Sequence, residues 1–398
     1  MKHKQQEVLI FAGVIAVIKM NKLVYFLILI FISLFPSLVY AVDIKIGLTT
    51  SSNQIRVGAD VRADLINQAT QKTIGIVNKR ETLYVVNKNG QISVFNKTKN
   101  LNLGTFTVPI LLKPTINNGL VFCQDRWYRG SLLIFTNADA KNLTIVNVVD
   151  LENYLLSVLP SEMPYKWNHE ALKAQAVAAR SYTLGYLGRR KDKGYDLEST
   201  VEDQVYTGII AEKWATTRAV KDTKGVILLN SEDSPLIALY HSSGGGYTDS
   251  IENLWDETPS PHIQPRPDYD DRSPHFKWTR TFKISDLSNS LSCLNIGEIK
   301  NIIPLSVSVS KRVTMLEIVG SKGKTQIRGE QLRRLLKLPS SKFNLAISNG
   351  IVNFAGRGYG HGLGLSQWGS KSLADNGFNF RQILAHYYTG AKLVKVED

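Results

Sequence analysis

The stretch SVLPSEMPYKWNHEALKAQAVAAR, residues 157–180, places one acid, Glu162, between two prolines and ahead of a helix-forming run. Residues 152–159 have helical spacing, and we expect that helix to end at Pro160, because a proline cannot continue the backbone hydrogen bonding. Apolar residues surround Glu162, so burial would disfavour its charged form and raise its pKa. A glutamic acid that stays protonated near neutral pH can act as a general acid. The alternative is that Glu162 caps the following turn or lies in water, which is the commoner state of such a residue.

The run after the prolines predicts a long helix. It is rich in alanine from His169 to about residue 187, and Asn168 is a typical N-cap residue. Lys173 and Arg180 are seven residues apart and therefore share one helix face. Two interpretations stay open: both cations are solvated on an exposed stripe, or they line the floor of a cleft and hold Glu162 or substrate oxygens.

The rest of the chain divides into a β-rich part and a mixed part. Short alternating runs predict a β-rich N-terminal domain over residues 42–141. Within it, TLYVVNKNGQISVFN predicts a hairpin about Asn89-Gly90, a pair that tolerates the positive φ of a type I′ turn. Residues 142–392 mix helices and strands and are predicted to form one α+β domain. The five prolines of residues 256–275 predict an irregular segment there.

The N-terminal segment predicts export. Within residues 1–41, Lys19 and Lys22 precede the uncharged run LVYFLILIFISLFPSLV and small residues, which is the pattern of a signal peptide. An uncleaved membrane anchor is the alternative, since such a run can just span a bilayer. Either way we expect the protein in the cell envelope or outside the cell. The two cysteines, Cys123 and Cys293, leave open whether this exported chain holds a disulfide.

The net charge of +14 predicts attraction to an anionic polymer such as a cell wall. Nucleic acid is the usual alternative partner of a basic chain. We expect no nucleic-acid binding, because the sequence has no basic helix and no stacking-aromatic motif.

Two further segments carry candidate binding residues. The run HSSGGG places His241, Ser242 and Ser243 before three glycines, which let a backbone approach a ligand closely. It lacks the G-x-S-x-G spacing of a serine-hydrolase elbow. Tyr387 and Tyr388 either form a wall that stacks on a sugar or belong to the core. No histidine pair has metal-ligand spacing, so we expect no zinc and no other cofactor.

Four segments in order resemble successive motifs of the stage II sporulation protein D/LytB domain family. They are VVDLENYLLSVLPSEMPYKWNHEALKAQAVAARSYTL, STVEDQVYTG, YHSSGGGYTDSIENLW and GRGYGHGLGLSQWGSKSLADNGFNFRQILAHYYTG. The resemblance covers roughly residues 142–392 and implies a mixed α/β catalytic domain with a long cleft. It implies a peptidoglycan lytic transglycosylase, which cuts glycan strands between N-acetylmuramic acid and N-acetylglucosamine. Founding members of the family act on strands that lack stem peptides.

The resemblance also implies the roles of individual residues. Glu162 is the implied catalytic acid and base, and the implied substrate-binding residues are Lys173, Arg180, His241, Ser242, Ser243, Tyr387 and Tyr388. In the irregular segment, His262 and Gln264 are interpreted as replacements for tyrosine and lysine sites of relatives. Relatives that bind zinc do so through cysteines in the HSSGGG region, where this chain has none.

A lytic transglycosylase needs one carboxylate, whereas glycoside hydrolases need two. Glu162 would protonate the leaving oxygen and then take a proton from the sugar's own 6-hydroxyl as a 1,6-anhydro ring closes. Arg180 would help return Glu162 to its ionised form. The second hypothesis is a non-catalytic wall-binding protein that enhances a partner N-acetylmuramoyl-L-alanine amidase, as some relatives are thought to do.

Overall fold

The computed structural model describes residues 42–396, which combine helices and strands in the α+β architecture that the sequence predicts. The predicted signal peptide or anchor, residues 1–41, lies outside the described residues and stays a prediction. Within the described residues, no helix has both the length and the apolar character needed to cross a bilayer.

The strands of the N-terminal part follow one another closely. They are β1 (Asp43–Ser52), β2 (Gln54–Ala59), β3 (Ala63–Asn67), β4 (Lys72–Val77), β5 (Thr82–Lys88), β6 (Gln91–Asn96), β7 (Leu101–Phe106), β8 (Ile110–Pro114), β9 (Leu120–Cys123), β10 (Arg126–Arg129), β11 (Ser131–Thr136) and β12 (Leu143–Asp150). The strands after them are β13 (Leu197–Glu198), β14 (Val226–Leu229), β15 (Tyr240–His241), β16 (Lys277–Lys283), β17 (Ile299–Val307), β18 (Val313–Gly320), β19 (Gly323–Arg328), β20 (Phe343–Ser348), β21 (Ile351–Arg357), β22 (Leu365–Ser366) and β23 (Lys392–Lys395).

The helices begin after β12. They are α1 (Leu151–Glu162), α2 (His169–Gly185), α3 (Trp214–Asp222), α4 (Ile251–Leu254), α5 (Ile284–Ser290), α6 (Gly329–Leu336), α7 (Gln367–Asp375) and α8 (Phe380–Tyr387). No helix or strand is assigned between Leu254 and Lys277 in the described chain, which confirms the predicted irregular segment.

Two sheets build the N-terminal part, with the strand orders β13-β1-β12-β11-β8-β3-β4 and β10-β9-β2-β5-β6-β7. The predicted hairpin joins β5 and β6, and its turn residues Asn89 and Gly90 have φ of 52° and 82°. These positive values are those of a type I′ turn, so the asparagine–glycine prediction is confirmed.

Two hydrophobic cores hold the described chain together. The first runs from Ile44 in β1 through α1 and α2 to Tyr388, and the second runs from Trp278 to Phe354. Strand β12 pairs with β1 and β11, so it belongs to a sheet of the N-terminal part. The first core therefore crosses the predicted domain boundary at residue 142, and that division stays a prediction.

Helix α1 extends further than the sequence suggests. It continues through Pro160 to Glu162, and the amide of Met163 still donates to the carbonyl of Leu159 at 3.0 Å. A proline this close to the end of a helix removes a single hydrogen bond, so the last turn can still form. The predicted end at Pro160 is therefore wrong, and Glu162 is the last residue of a helix rather than part of a turn.

Candidate functional site

Glu162 lies half-buried at the C-terminal end of α1. One of its carboxylate oxygens, Oε1, accepts a hydrogen bond of 2.9 Å from the backbone amide of Val205. Burial raises the pKa of Glu162, and the hydrogen bond from Val205 opposes that shift only in part. The negative end of the helix dipole further disfavours a carboxylate here. The predicted direction of the pKa shift is confirmed.

A buried polar network lies beside the carboxylate. The side-chain oxygen of Gln204 accepts from the hydroxyls of Tyr154, at 3.1 Å, and Thr183, at 2.8 Å. Its Nε2 donates to the hydroxyl of Tyr240 at 3.1 Å. Burial raises the pKa of both tyrosines well above the usual value, and the charge of Glu162 adds to the shift. Both phenols therefore stay protonated and can donate hydrogen bonds within this network.

The four segments that carried the family resemblance meet around the loop that follows Glu162. The rings of Trp167 and Trp368 lie edge to face, with centroids 4.8 Å apart. The amide of Trp368 donates to the carbonyl of Ser242 at 3.0 Å, and Asn168 donates to the carbonyl of Ala374 at 3.0 Å. Together with the amide of Val205, these contacts bring the four segments to one place.

Arg180 does not take part in this site. Its guanidinium makes a bidentate ion pair with Glu152, at 2.7 and 2.8 Å, and donates to the carbonyl of Val226 at 3.0 Å. Only 1% of Arg180 is exposed. Glu152 lies ten residues before Glu162 on α1, about 15 Å along the helix axis. The structure therefore corrects the prediction: Arg180 holds helices together and neither lines a cleft nor returns Glu162 to its ionised form.

Lys173 is also held by protein groups. Its Nζ lies 2.5 Å from a carboxylate oxygen of Glu170 and 5.1 Å from the ring centroid of Phe380. The other oxygen of Glu170 accepts from the amide of Phe380 at 2.8 Å. These contacts tie the first turn of α2 to the first turn of α8, which is a structural role that the pattern on α2 alone does not reveal.

The HSSGGG segment is mostly structural. His241 is buried and its Nδ1 donates to the carbonyl of Leu363 at 3.0 Å. Burial, with Arg312 nearby, lowers the pKa of His241 to about 3, so the ring is neutral. Ser243 is buried and its hydroxyl donates to Asp270. Ser242 is half-buried next to Trp368, and its substrate-binding role stays a prediction.

The two C-terminal tyrosines belong to the core. Tyr387 and Tyr388 are both almost fully buried. The hydroxyl of Tyr387 donates to Asp268 at 2.9 Å, and that of Tyr388 donates to the carbonyl of Leu239 at 2.8 Å. A buried ring cannot stack on a sugar, so the prediction of a sugar-stacking wall is wrong.

The remaining candidate ligands have other partners. The buried ring of His262 contacts the amide of Ser231 at 3.0 Å and the carbonyl of Thr389 at 2.8 Å, and Gln264 donates to a backbone carbonyl at 3.0 Å. The buried His262 therefore does not replace a substrate-binding residue, and that role of Gln264 stays a prediction. Cys123 is buried, Cys293 is exposed, and both are free thiols. Across residues 42–396 no group of three or more His, Cys, Asp or Glu could hold a metal ion.

These features place one partly buried carboxyl group, that of Glu162, at the candidate site. A family model described as Stage II sporulation protein matches residues 139–229, which include Glu162 and Val205. A second model, described as a domain of unknown function, matches residues 253–364, which include the whole second core. The chain belongs to the stage II sporulation protein family, so the resemblance is confirmed.

Three relatives give the extent of the similarity. An uncharacterized protein of Brachyspira hyodysenteriae is 32% identical over 275 residues, which cover 67% of this chain and 72% of that protein. The stage II sporulation protein D of Bacillus subtilis is 29% identical over 273 residues, or 63% of this chain and 76% of that protein. The amidase enhancer of Bacillus subtilis is 28% identical over 294 residues, or 60% of this chain and 40% of that protein.

Proposed function

We propose that this chain is an exported peptidoglycan lytic transglycosylase that acts in cell-wall remodelling, with Glu162 as its general acid and base. The observation that carries the proposal is the environment of Glu162: burial raises its pKa, and one backbone amide holds an oxygen of its carboxylate. Within residues 42–396 Glu162 forms no salt bridge that would keep it ionised. A carboxyl group in this state holds the proton that a glycosidic oxygen needs in order to leave.

The proton balance of the reaction fits this environment. Protonated Glu162 gives its proton to the glycosidic oxygen as the bond from that oxygen to C1 of the muramic acid breaks. The 6-hydroxyl of the same sugar attacks C1, and Glu162 takes the proton of that hydroxyl as the 1,6-anhydro ring closes. Glu162 ends the cycle protonated, so no cation is needed to reset it. The amide of Val205 holds the transient carboxylate in place.

The state of Asp203, an acid in the segment that contacts Glu162, favours the single-acid mechanism over hydrolysis. Asp203 precedes Val205 by two residues and lies in the same segment. Its side chain is fully buried and accepts from Arg190 at 2.8 Å and from Arg189 at 3.1 Å. Held by two arginines, this carboxylate cannot activate a water molecule, whereas an intramolecular hydroxyl needs no such activation.

The product of the reaction tests the proposal. The purified chain is incubated with glycan strands stripped of stem peptides and with intact peptidoglycan, and the products are analysed by mass spectrometry. We expect 1,6-anhydro-muramoyl ends from the stripped strands and none from Glu162→Gln. Glu298→Gln, which changes an exposed acid paired with Lys300, is the matched control and should keep full activity. Equal product from the wild type and Glu162→Gln would refute the role of Glu162.

The similarity to the amidase enhancer supports a second candidate function. In that case the chain binds the wall and stimulates a partner N-acetylmuramoyl-L-alanine amidase without cutting glycan. The net charge of +14 suits binding to an anionic wall. Wall binding and amidase stimulation would then persist in Glu162→Gln, and no anhydro product would form with either protein.

A further inference from the structure

A basic pocket of about 620 Å³ lies on the three-stranded sheet β16-β21-β20, in the region of the second core. Among the described residues that line it, four are cations and none is an acid. The cations are Lys277, Lys311, Lys342 and Arg357. This pocket is separate from Glu162, whose partners do not line it.

The strand register lines up three of these cations in a row. Lys277 in β16 lies directly opposite Arg357 in β21. On the other side of β21, the amide of Arg357 donates to the carbonyl of Lys342 at 2.9 Å, so Lys342 flanks it. Side chains that are directly opposite across strands lie on the same face, and like charges there repel each other. An external anion bound at this row would relieve that repulsion.

Among residues 42–396, none of the four cations forms a salt bridge with an acid. The ammonium group of Lys342 donates to the carbonyl of Gly245 at 2.7 Å, and the guanidinium of Arg357 lies 5.6 Å from the ring centroid of Phe276. Burial, with the charges of Arg312 and Arg357 adding to it, lowers the pKa of Lys342 to about 8. The nearby acids Asp270 and Asp268 oppose this shift, but neither of them lines the pocket.

We propose that this pocket binds the phosphate groups of an anionic polymer that carries no bases. The pocket has room for more than one charged group, and its cations extend across three strands. The next row on the same face holds Thr279, Ala355 and Asn344, which are small or polar. The aromatic residues Trp278 and Phe343 belong to the second core, with exposures of 9% and 5%, so they offer no surface for stacking bases. These features favour a phosphate polymer without bases over a nucleic acid.

Binding of inorganic polyphosphate to the full chain, measured by calorimetry over a range of salt concentrations, tests the proposal. The variant Lys277→Gln/Arg357→Gln removes two cations of the row. Lys72→Gln/Lys88→Gln removes the same charge from two exposed positions in the N-terminal sheets and is the matched control. Single-stranded DNA with an equal number of phosphates serves as the comparison ligand.

We expect the pocket variant to bind polyphosphate about tenfold more weakly at low salt, with the control close to the wild type. The slope of log K against log salt should fall by about 1 for each cation removed. The melting temperature should not fall, because the variant removes a repulsive pair. If the melting temperature of the pocket variant does fall, the single variant Lys311→Gln provides the binding test. Polyphosphate binding by Lys311→Gln that equals wild-type binding would overturn the proposal.

Two other outcomes would overturn it. Equal losses in the pocket variant and the control would mean that binding follows net charge alone. Tighter binding of DNA than of polyphosphate through the same residues would contradict the base-free ligand. Because the readout is binding, it is independent of whether Glu162 cuts glycan.

Discussion

Replacing Arg180 by alanine should destabilise the protein and leave the chemistry of Glu162 intact. The change leaves the carboxylate of Glu152 without its bidentate partner and the carbonyl of Val226 without its donor. Breaking a buried ion pair from one side costs about 3–5 kcal/mol of unfolding free energy. Because Glu152 keeps 23% of its side chain exposed, water can partly replace the arginine, and we expect a loss of about 3 kcal/mol.

Urea denaturation of the wild type, Arg180→Ala, Glu152→Gln and the double variant measures this loss. The two single changes remove the same interaction, so the double variant should lose less than their sum. Release of anhydro-muramoyl product per folded molecule should stay within about twofold of the wild type at a temperature where both are folded. A stable Arg180→Ala protein with strongly reduced turnover would refute the structural role and restore a substrate-binding one.

Two further predictions concern pKa and the core. Burial raises the pKa of Glu162 in the folded state, so its contribution to stability is fully present below the unfolded value of 4.5 and is lost as the pH rises through the folded value. As the pH rises from the unfolded to the folded pKa of Glu162, the unfolding free energy of the wild type should therefore fall relative to that of Glu162→Gln. A difference between the two proteins that does not change with pH would contradict the raised pKa. Tyr388→Phe should cost about 1 kcal/mol in thermal unfolding, because the carbonyl of Leu239 loses its donor, and should leave glycan cleavage unchanged. Loss of cleavage without loss of stability would place Tyr388 at the substrate after all.

Local patterns predicted much of the fold because their causes are local. The turn at Asn89-Gly90 and the cap at Asn168 depend on residues within a few positions, and both are present. The predicted end of α1 at Pro160 is wrong, because a proline in the last turn of a helix removes only one hydrogen bond. The raised pKa of Glu162 was also predictable, because its apolar neighbours are adjacent in sequence.

The partners of the other candidates lie far away in the chain, so no local pattern reveals them. Arg180 pairs with an acid 28 residues before it, and Tyr388 bonds a carbonyl 149 residues before it. A cation or aromatic residue on a helix face looks the same whether it meets substrate or a distant part of the protein. Gln204 and Tyr240 were missed for the same reason: their link to Glu162 exists only once the segments have folded together.

The first core has a practical consequence for any attempt to isolate the part that carries Glu162. Because β12 leads directly into α1 and pairs with β1 and β11, cutting the chain at residue 142 would strip a central strand of both neighbours. It would also remove Ile44 and Ile46 from the first core, to which apolar side chains of α1 also belong. The N-terminal strands are therefore part of the scaffold that holds Glu162. A protein cut at residue 142 would be poorly folded and insoluble, so a loss of its activity would not report on catalysis.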